Sequence, residues 1–278
     1  MKTTEEWKSY GVKRTEIGIF SIVLGVVCLA LYIPCAKTML KPQLWKLSCY
    51  KLMFLNALID IWGIINSCFI SGYLSIEGVV FCSFYPDFQY IYSTLILSLW
   101  GAQCLTVLIL AFNRCVEFWQ NPLFTSMFEG KKMIIWFAIP IIWFFLNFLY
   151  VAACPFTTVV NMWMIDPYLG IPGIDADKTP YENVVILNVT NLFVFIGLSS
   201  CYIFLIFSIW YKSRNAGSAA MSRVQRQVSI QAFLICSIIY MCGGMYVFFE
   251  FFPQMAIPIF LTMDFFCWQW GFCEYDRR

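Results

Sequence analysis

Six runs of about twenty residues carry almost no charge, and they decide what this chain can fold into. They are Ile17–Ala36, Leu52–Ser71, Ile91–Phe112, Met133–Cys154, Val184–Tyr211 and Val228–Phe249. A hydrocarbon core of about 30 Å takes about 20 apolar residues of helix to cross. Each run is apolar all round, as a lipid-embedded helix must be. The runs are too long, and too irregular in period, for the strands of a membrane barrel. The chain as a whole is 61% hydrophobic and 12% charged. A soluble domain is about 25% charged, so this chain cannot wet the surface of a soluble fold. The expected fold is an all-α polytopic membrane helix bundle, one domain over residues 1–278, with the lipid bilayer as its first partner.

A seventh run, Ile257–Trp270, has Asp264 in its middle, and Pro253 and Pro258 interrupt its approach. At 1.5 Å per residue it reaches only about 21 Å, so it reads as a short or divergent seventh span. Basic residues orient the bundle. The loops after spans one, three and five hold eleven lysines and arginines, among them Lys46, Lys51, Arg114, Lys131 and Arg214. The N-terminal segment and the other loops hold five. The excess marks the first set as cytoplasmic and puts the N-terminus outside. Met1–Glu16 is polar and shows no cleavable leader, so span one reads as a signal anchor. The loop Pro155–Asn183 carries Asp166, Asp175, Asp177 and Glu182 and reads as an irregular acidic lid.

Several chemistries are missing from the sequence. There is no histidine, the commonest general base and metal ligand. No paired acids stand on facing spans, and no glycine-rich phosphate loop is visible, so neither an enzyme nor a metal site is expected. A net charge of +2 argues against nucleic acid as a partner. The thirteen cysteines form no CxxC pair and read mainly as small buried hydrophobes.

Asp60 is the one charged residue inside the six long runs. A mid-membrane carboxylate must face the bundle interior. Asn56, Asp60, Gly63 and Ser67 share one helix face, which supports that placement. Two readings stand: an ion- or water-linked switch, with sodium as the candidate ion, or hydrogen-bonded glue between helices. No other cofactor is expected. Span three ends in Asn113-Arg114-Cys115-Val116-Glu117, with Arg114 at the membrane edge as a snorkelling anchor or a partner for a facing helix. Asn188-Val189-Thr190 has the form of a glycosylation sequon but lies in an apolar run and is set aside. Cys82 and Cys154 both fall on the outer side, where oxidation would allow a disulfide between them.

Finer blocks narrow the identity. They are Leu31-Tyr32-Ile33-Pro34-Cys35, Ser48-Cys49-Tyr50-Lys51-Leu52-Met53, Gly72-Tyr73-Leu74, Phe81-Cys82-Ser83 and Leu110-Ala111-Phe112-Asn113-Arg114-Cys115. Together they resemble the nematode serpentine receptor class T (Srt) family, rhodopsin-like seven-transmembrane chemoreceptors. The resemblance implies a G-protein-coupled chemosensory receptor in the plasma membrane, and in the ciliary membrane of sensory neurons, with a heterotrimeric G protein as partner. Asp60 stands at the acid of span two and Arg114 at the arginine that closes span three. Asn113 replaces the usual acid beside that arginine, and an amide cannot make the ionic lock. Cys82 stands near the family's outer cysteine.

On this reading a small, largely apolar ligand enters between spans three, five and six. Ile96, Trp100, Gln103, Asn188, Asn191 and Met245 are its candidate contacts, and its binding swings the inner end of span six outward. The end of the chain departs from the rhodopsin-like pattern. It lacks the Asn-Pro-x-x-Tyr motif of the seventh helix and the aromatic-x-Pro signature of the sixth. The alternatives are therefore a truncated, non-coupling orphan receptor and, behind it, a small transporter or channel.

Overall fold

The computed structural model describes residues 3–119, 121–151, 153–168, 170–171, 173–174 and 185–215, with Ser237, Met241 and Gly244 as single positions. Apart from those three positions, the expected spans six and seven lie outside the described residues. The described chain forms helices α1 (Thr4–Lys8), α2 (Thr15–Met39), α3 (Pro42–Trp45), α4 (Ser48–Ile64), α5 (Ser71–Glu77), α6 (Pro86–Trp119), α7 (Pro122–Thr125), α8 (Met133–Tyr150) and α9 (Val185–Asn215). Among the described residues, five segments are long and apolar enough to cross a membrane: Thr15–Met39, Ser48–Glu77, Pro86–Trp119, Gly130–Tyr150 and Val185–Ser208. The protein is an all-α polytopic bundle.

Local sequence sets the helix ends. Pro86 opens α6, where its missing N–H costs nothing. α8 stops at Tyr150 rather than at the expected Cys154. Val151 is already extended, and Cys154 precedes Pro155, a position biased away from helix. α4 and α5 form one span joined by a π-helical turn, Ile65–Ile70. The Asn66 carbonyl at that turn accepts from Ser71 Oγ (2.9 Å).

The helices pack around α6, which is buried on every side along its middle and touches α4, α8 and α9. α2 buries Gly18, Ser21, Gly25, Cys28, Tyr32, Ala36 and Met39, spaced three or four apart on one face. Small residues on that face bring the backbones together. A Cβ on Gly18 would sit 2.5 Å from the Gly72 carbonyl oxygen, and one on Gly25 would sit 2.5 Å from Cys68 Cβ. The opposite face of α2 and most of α8 and α9 expose Ile, Phe, Leu and Val, as lipid-facing surfaces do.

The loop after α8 corrects one expectation. Its first half is not an irregular acidic lid but an antiparallel hairpin, β1 (Phe156–Thr157) and β2 (Met162–Trp163), with Asn161 left-handed in the turn at φ +59°. The hairpin is buried and stapled down. Thr158 N donates to the Val79 carbonyl (2.9 Å), and Trp163 Nε1 donates to Ser71 Oγ (2.9 Å). Arg14 reaches over it from the N-terminal segment, donating to the carbonyls of Thr158 (3.1 Å) and Val159 (3.0 Å). Asp175, Asp177 and Glu182 lie outside the described residues.

The disulfide that an oxidising outer face would allow is not formed: Cys82 and Cys154 are both free thiols. Cys154 is buried in the apolar cluster beneath the hairpin with Phe156 and Trp163. Cys82 lies instead against the Tyr168 hydroxyl (3.9 Å). Burial pushes the Cys154 thiol up to about 12. Burial also raises Cys82, against a smaller opposing effect of the Tyr168 hydrogen bond. Both stay protonated at neutral pH and are poor nucleophiles for exchange.

The close α2–α5 approach is testable. Gly18→Val forces a side chain onto the Gly72 carbonyl and is expected to cost about 1–3 kcal/mol. Thermal unfolding of the purified protein reads this as a drop of several degrees. An unchanged midpoint would mean that α2 does not depend on that contact.

Candidate functional site

Three polar clusters lie along α6: two join it to α4, at mid-span and at its start, and the third joins it to α9. The first is at mid-bundle. Asp60 on α4 is 4% exposed and sits where α2, α4 and α6 meet. Its Oδ1 accepts from Gln103 Nε2 on α6 (2.6 Å). Its Oδ2 accepts from Asn56 Nδ2 one turn earlier (2.7 Å) and from the Tyr32 hydroxyl on α2. A carboxylate alone at this depth costs about 3 kcal/mol or more, and three donors from three helices offset that cost. Tyr32 was not singled out from the sequence. The signal available was the 3–4 spacing that places it on the Gly18–Gly25 face of span one.

The second cluster is at the far end of α6 from the hairpin. Arg114, 7% exposed, donates from Nη1 to Glu117 Oε2 (2.8 Å), three residues along the same helix. Glu117 Oε1 accepts from Ser48 Oγ at the start of α4 (3.0 Å), and Ser48 Oγ accepts from Asn113 Nδ2 (3.0 Å). Arg114 Nη2 also points at Met53 Sδ (3.9 Å). Asn113, Arg114, Glu117 and Ser48 therefore form one ring that ties the end of α6 to the start of α4. The expectation that Asn113 leaves the arginine without an ionic lock needs amending. Glu117 supplies the acid, and Asn113 holds the serine that steadies it. The i, i+3 spacing of Arg114 and Glu117 was legible in the sequence. The part played by Ser48, 65 residues before Asn113 in the chain, was not. Beside this ring opens a cavity of about 700 Å³, lined by Lys46, Ser48, Lys51, Asn113, Arg114 and Glu129 among others.

The third cluster is the seam between α6 and α9. Trp100 Nε1 donates to Asn191 Oδ1 (3.1 Å), and Trp119 Nε1 donates to Ser208 Oγ (2.8 Å). Between them Trp100, Cys104, Val107 and Ala111 pack on Val194 and Leu198. Of the six candidate ligand contacts, Trp100 and Asn191 thus meet directly. Asn188 is one turn away on α9. Gln103 is turned to Asp60, and Ile96 packs under the hairpin with Tyr92 and Trp163. Because α6 is buried all round, its periodicity does not say which neighbour each residue meets. Met245 lies outside the described residues.

A polytopic bundle with a polar node on its second span and a restrained arginine closing its third has the build of a serpentine receptor. The family model for the serpentine type 7TM GPCR chemoreceptor Srt matches residues 2–273, and the chain belongs to that family. No curated protein matches the chain. The protein is a serpentine chemoreceptor of the membrane.

The Asp60 node makes a stability prediction. Asp60→Leu removes the acceptor that Tyr32, Asn56 and Gln103 share, at about 1–3 kcal/mol for each bond lost. Asp60→Asn keeps one acceptor oxygen and loses less. Folded yield and melting temperature in detergent should rank wild type above Asn above Leu. A leucine variant as stable as wild type would show that the carboxylate does not tie these helices.

Proposed function

We propose that the protein is a G-protein-coupled chemosensory receptor for a small, largely apolar molecule, with its N-terminus outside the cell and the Arg114 end in the cytoplasm. The observation that carries this reading is the ring of Arg114, Glu117, Ser48 and Asn113 beside an open cavity. It joins a buried guanidinium to a Glu117 side chain that is 34% exposed. One partner is thus within reach of water, and a change in the bundle that hydrates Arg114 releases the pair. Ligand enters beside Trp100, Asn188 and Asn191 on the α6–α9 seam. It favours the conformation in which span six (228–249) has swung outward at its cytoplasmic end, freeing Arg114 to meet the heterotrimeric G protein. The plasma membrane, and the ciliary membrane of a sensory neuron in particular, is the setting in which such a receptor works.

A sodium ion beside Asp60 belongs to the same proposal. Tyr32, Asn56 and Gln103 direct donors at the carboxylate in this conformation. Turning over the two amides would present oxygens to a cation instead, and Asn56 Oδ1 has no hydrogen-bond partner among the described residues to hold it back.

Nucleotide exchange on co-expressed G protein tests the restraint. Glu117→Gln is expected to raise ligand-free exchange about threefold to tenfold, the effect of removing about 1 kcal/mol of resting-state bias. Arg114→Ala is expected to abolish exchange. If both variants match mock-transfected cells, the receptor does not couple. Sidedness is tested separately with tags at the two ends. An N-terminal tag stained on intact cells supports the orientation. One stained only after permeabilisation reverses it and moves the Arg114 end outside.

A further inference from the structure

The seam between α6 and α9 holds a pair of reactive groups that neither ligand entry nor coupling uses. Cys115 on α6 is 7% exposed, and Cys201 on α9 is half-buried. Cys115 Sγ donates to the Cys201 carbonyl (3.5 Å). The two thiols are also in hydrogen-bonding contact with each other. Both cysteines are reduced. They stand 86 residues apart in the chain, so only the packing of the bundle makes them a pair.

The seam holds them opposed from both sides. Trp100 donates to Asn191 toward one end, and Trp119 donates to Ser208 toward the other. Between these two bonds Val107 and Ala111 pack on Val194 and Leu198, with Cys201 against them. Other thiols in the bundle meet groups with which no disulfide forms. Cys49 donates to the Met53 thioether (3.4 Å), and Cys82 lies against the Tyr168 hydroxyl (3.9 Å). At Cys115 the neighbour is a second thiol, which is what a disulfide requires.

We propose that Cys115 and Cys201 are a peroxide-oxidised pair, which closes a disulfide that ties α6 to α9. The half-buried Cys201 sulfur attacks one oxygen of hydrogen peroxide. The O–O bond breaks, and the thiol proton leaves with the other oxygen as water. Cys201 is then a sulfenic acid. Cys115 Sγ attacks the sulfenic sulfur, the S–S bond forms and the S–O bond breaks. The departing hydroxide takes the Cys115 proton and leaves as the second water. The pair of thiols has lost two electrons, and the peroxide has gained them. Buried thiols are slow nucleophiles, so the first step sets the rate. The second step joins groups already in contact and outruns further oxidation to the sulfinic acid. The tie falls on the seam to which ligand entry is assigned, but its formation does not rest on that assignment.

The test exposes the full-length receptor in phosphatidylcholine nanodiscs to hydrogen peroxide, then alkylates it in denaturant and reads its peptides by mass spectrometry. Wild type is expected to yield a peptide pair joined through Cys115 and Cys201, with both positions protected from alkylation. Dithiothreitol is expected to restore both thiols. The thermal unfolding midpoint of the oxidised protein is expected to rise by several degrees, because a cross-link closing a long loop restricts the unfolded chain. Cys115→Ala and Cys201→Ala are each expected to abolish the joined pair and the rise. Cys104→Ala, packed in the same seam, is expected to keep both. Sulfinic acid at either cysteine without a cross-link would overturn the proposal, as would pairing of either one with a different cysteine. An unshifted midpoint in a fully cross-linked sample would overturn the tie between the helices. The wild-type peptides decide the pairing without any variant, so a cysteine variant that fails to fold does not blunt the test. Peroxide oxidation can fail while ligand binding and G-protein coupling stand, and the reverse.

Discussion

The Asp60 carboxylate accepts hydrogen bonds from three helices, and the arrangement of the bundle follows from its needs. A buried carboxylate in lipid has no water to turn to, so its donors must come from the protein. Tyr32 fixes α2 against α4, and Gln103 fixes α6 against both. Once α6 is held there, its remaining faces are open to α8 and α9, and these two helices present their apolar sides to lipid. The small residues of α2 work with this node. They let α2 come close enough to α5 for the Tyr32 hydroxyl to reach Asp60.

The two ends of the bundle are built on opposite plans. At the hairpin end, Thr158, Arg14, Ser71 and Trp163 close the surface with backbone and side-chain bonds, and the apolar cluster beneath contains Phe156, Tyr92, Ile96 and Cys154. At the arginine end, a cavity of about 700 Å³ stands open beside a short ring of polar bonds. Local stability is not uniform in proteins, and the elements that move come from the weakly held part. The ring of Arg114, Glu117, Ser48 and Asn113 fits that description better than the stapled hairpin.

The sequence determined the class of fold by itself, because hydrophobic runs of span length permit only helices in a bilayer. It also placed Asp60 in the interior, since that follows from the cost of charge in lipid. The blocks around Tyr32, Ser48 and Arg114 carried the Srt resemblance, which the match over residues 2–273 bears out. Helix ends were less legible, as at Cys154, because capping and a following proline act over one or two residues while hydrophobicity is read over twenty.

Tertiary structure alone decided who meets whom. Gln103 and Trp100 stand three apart on α6, yet one binds Asp60 and the other Asn191, because a helix buried all round divides its residues among neighbours that no period identifies. Ser48 joins Arg114's ring from 65 residues before Asn113, and Cys154 stays reduced because the fold places it under the hairpin and leaves Cys82 against Tyr168. Burial and spacing along one helix are written in the sequence as periodicity. Contacts between helices depend on where each backbone lies in space, and that follows from packing the whole bundle.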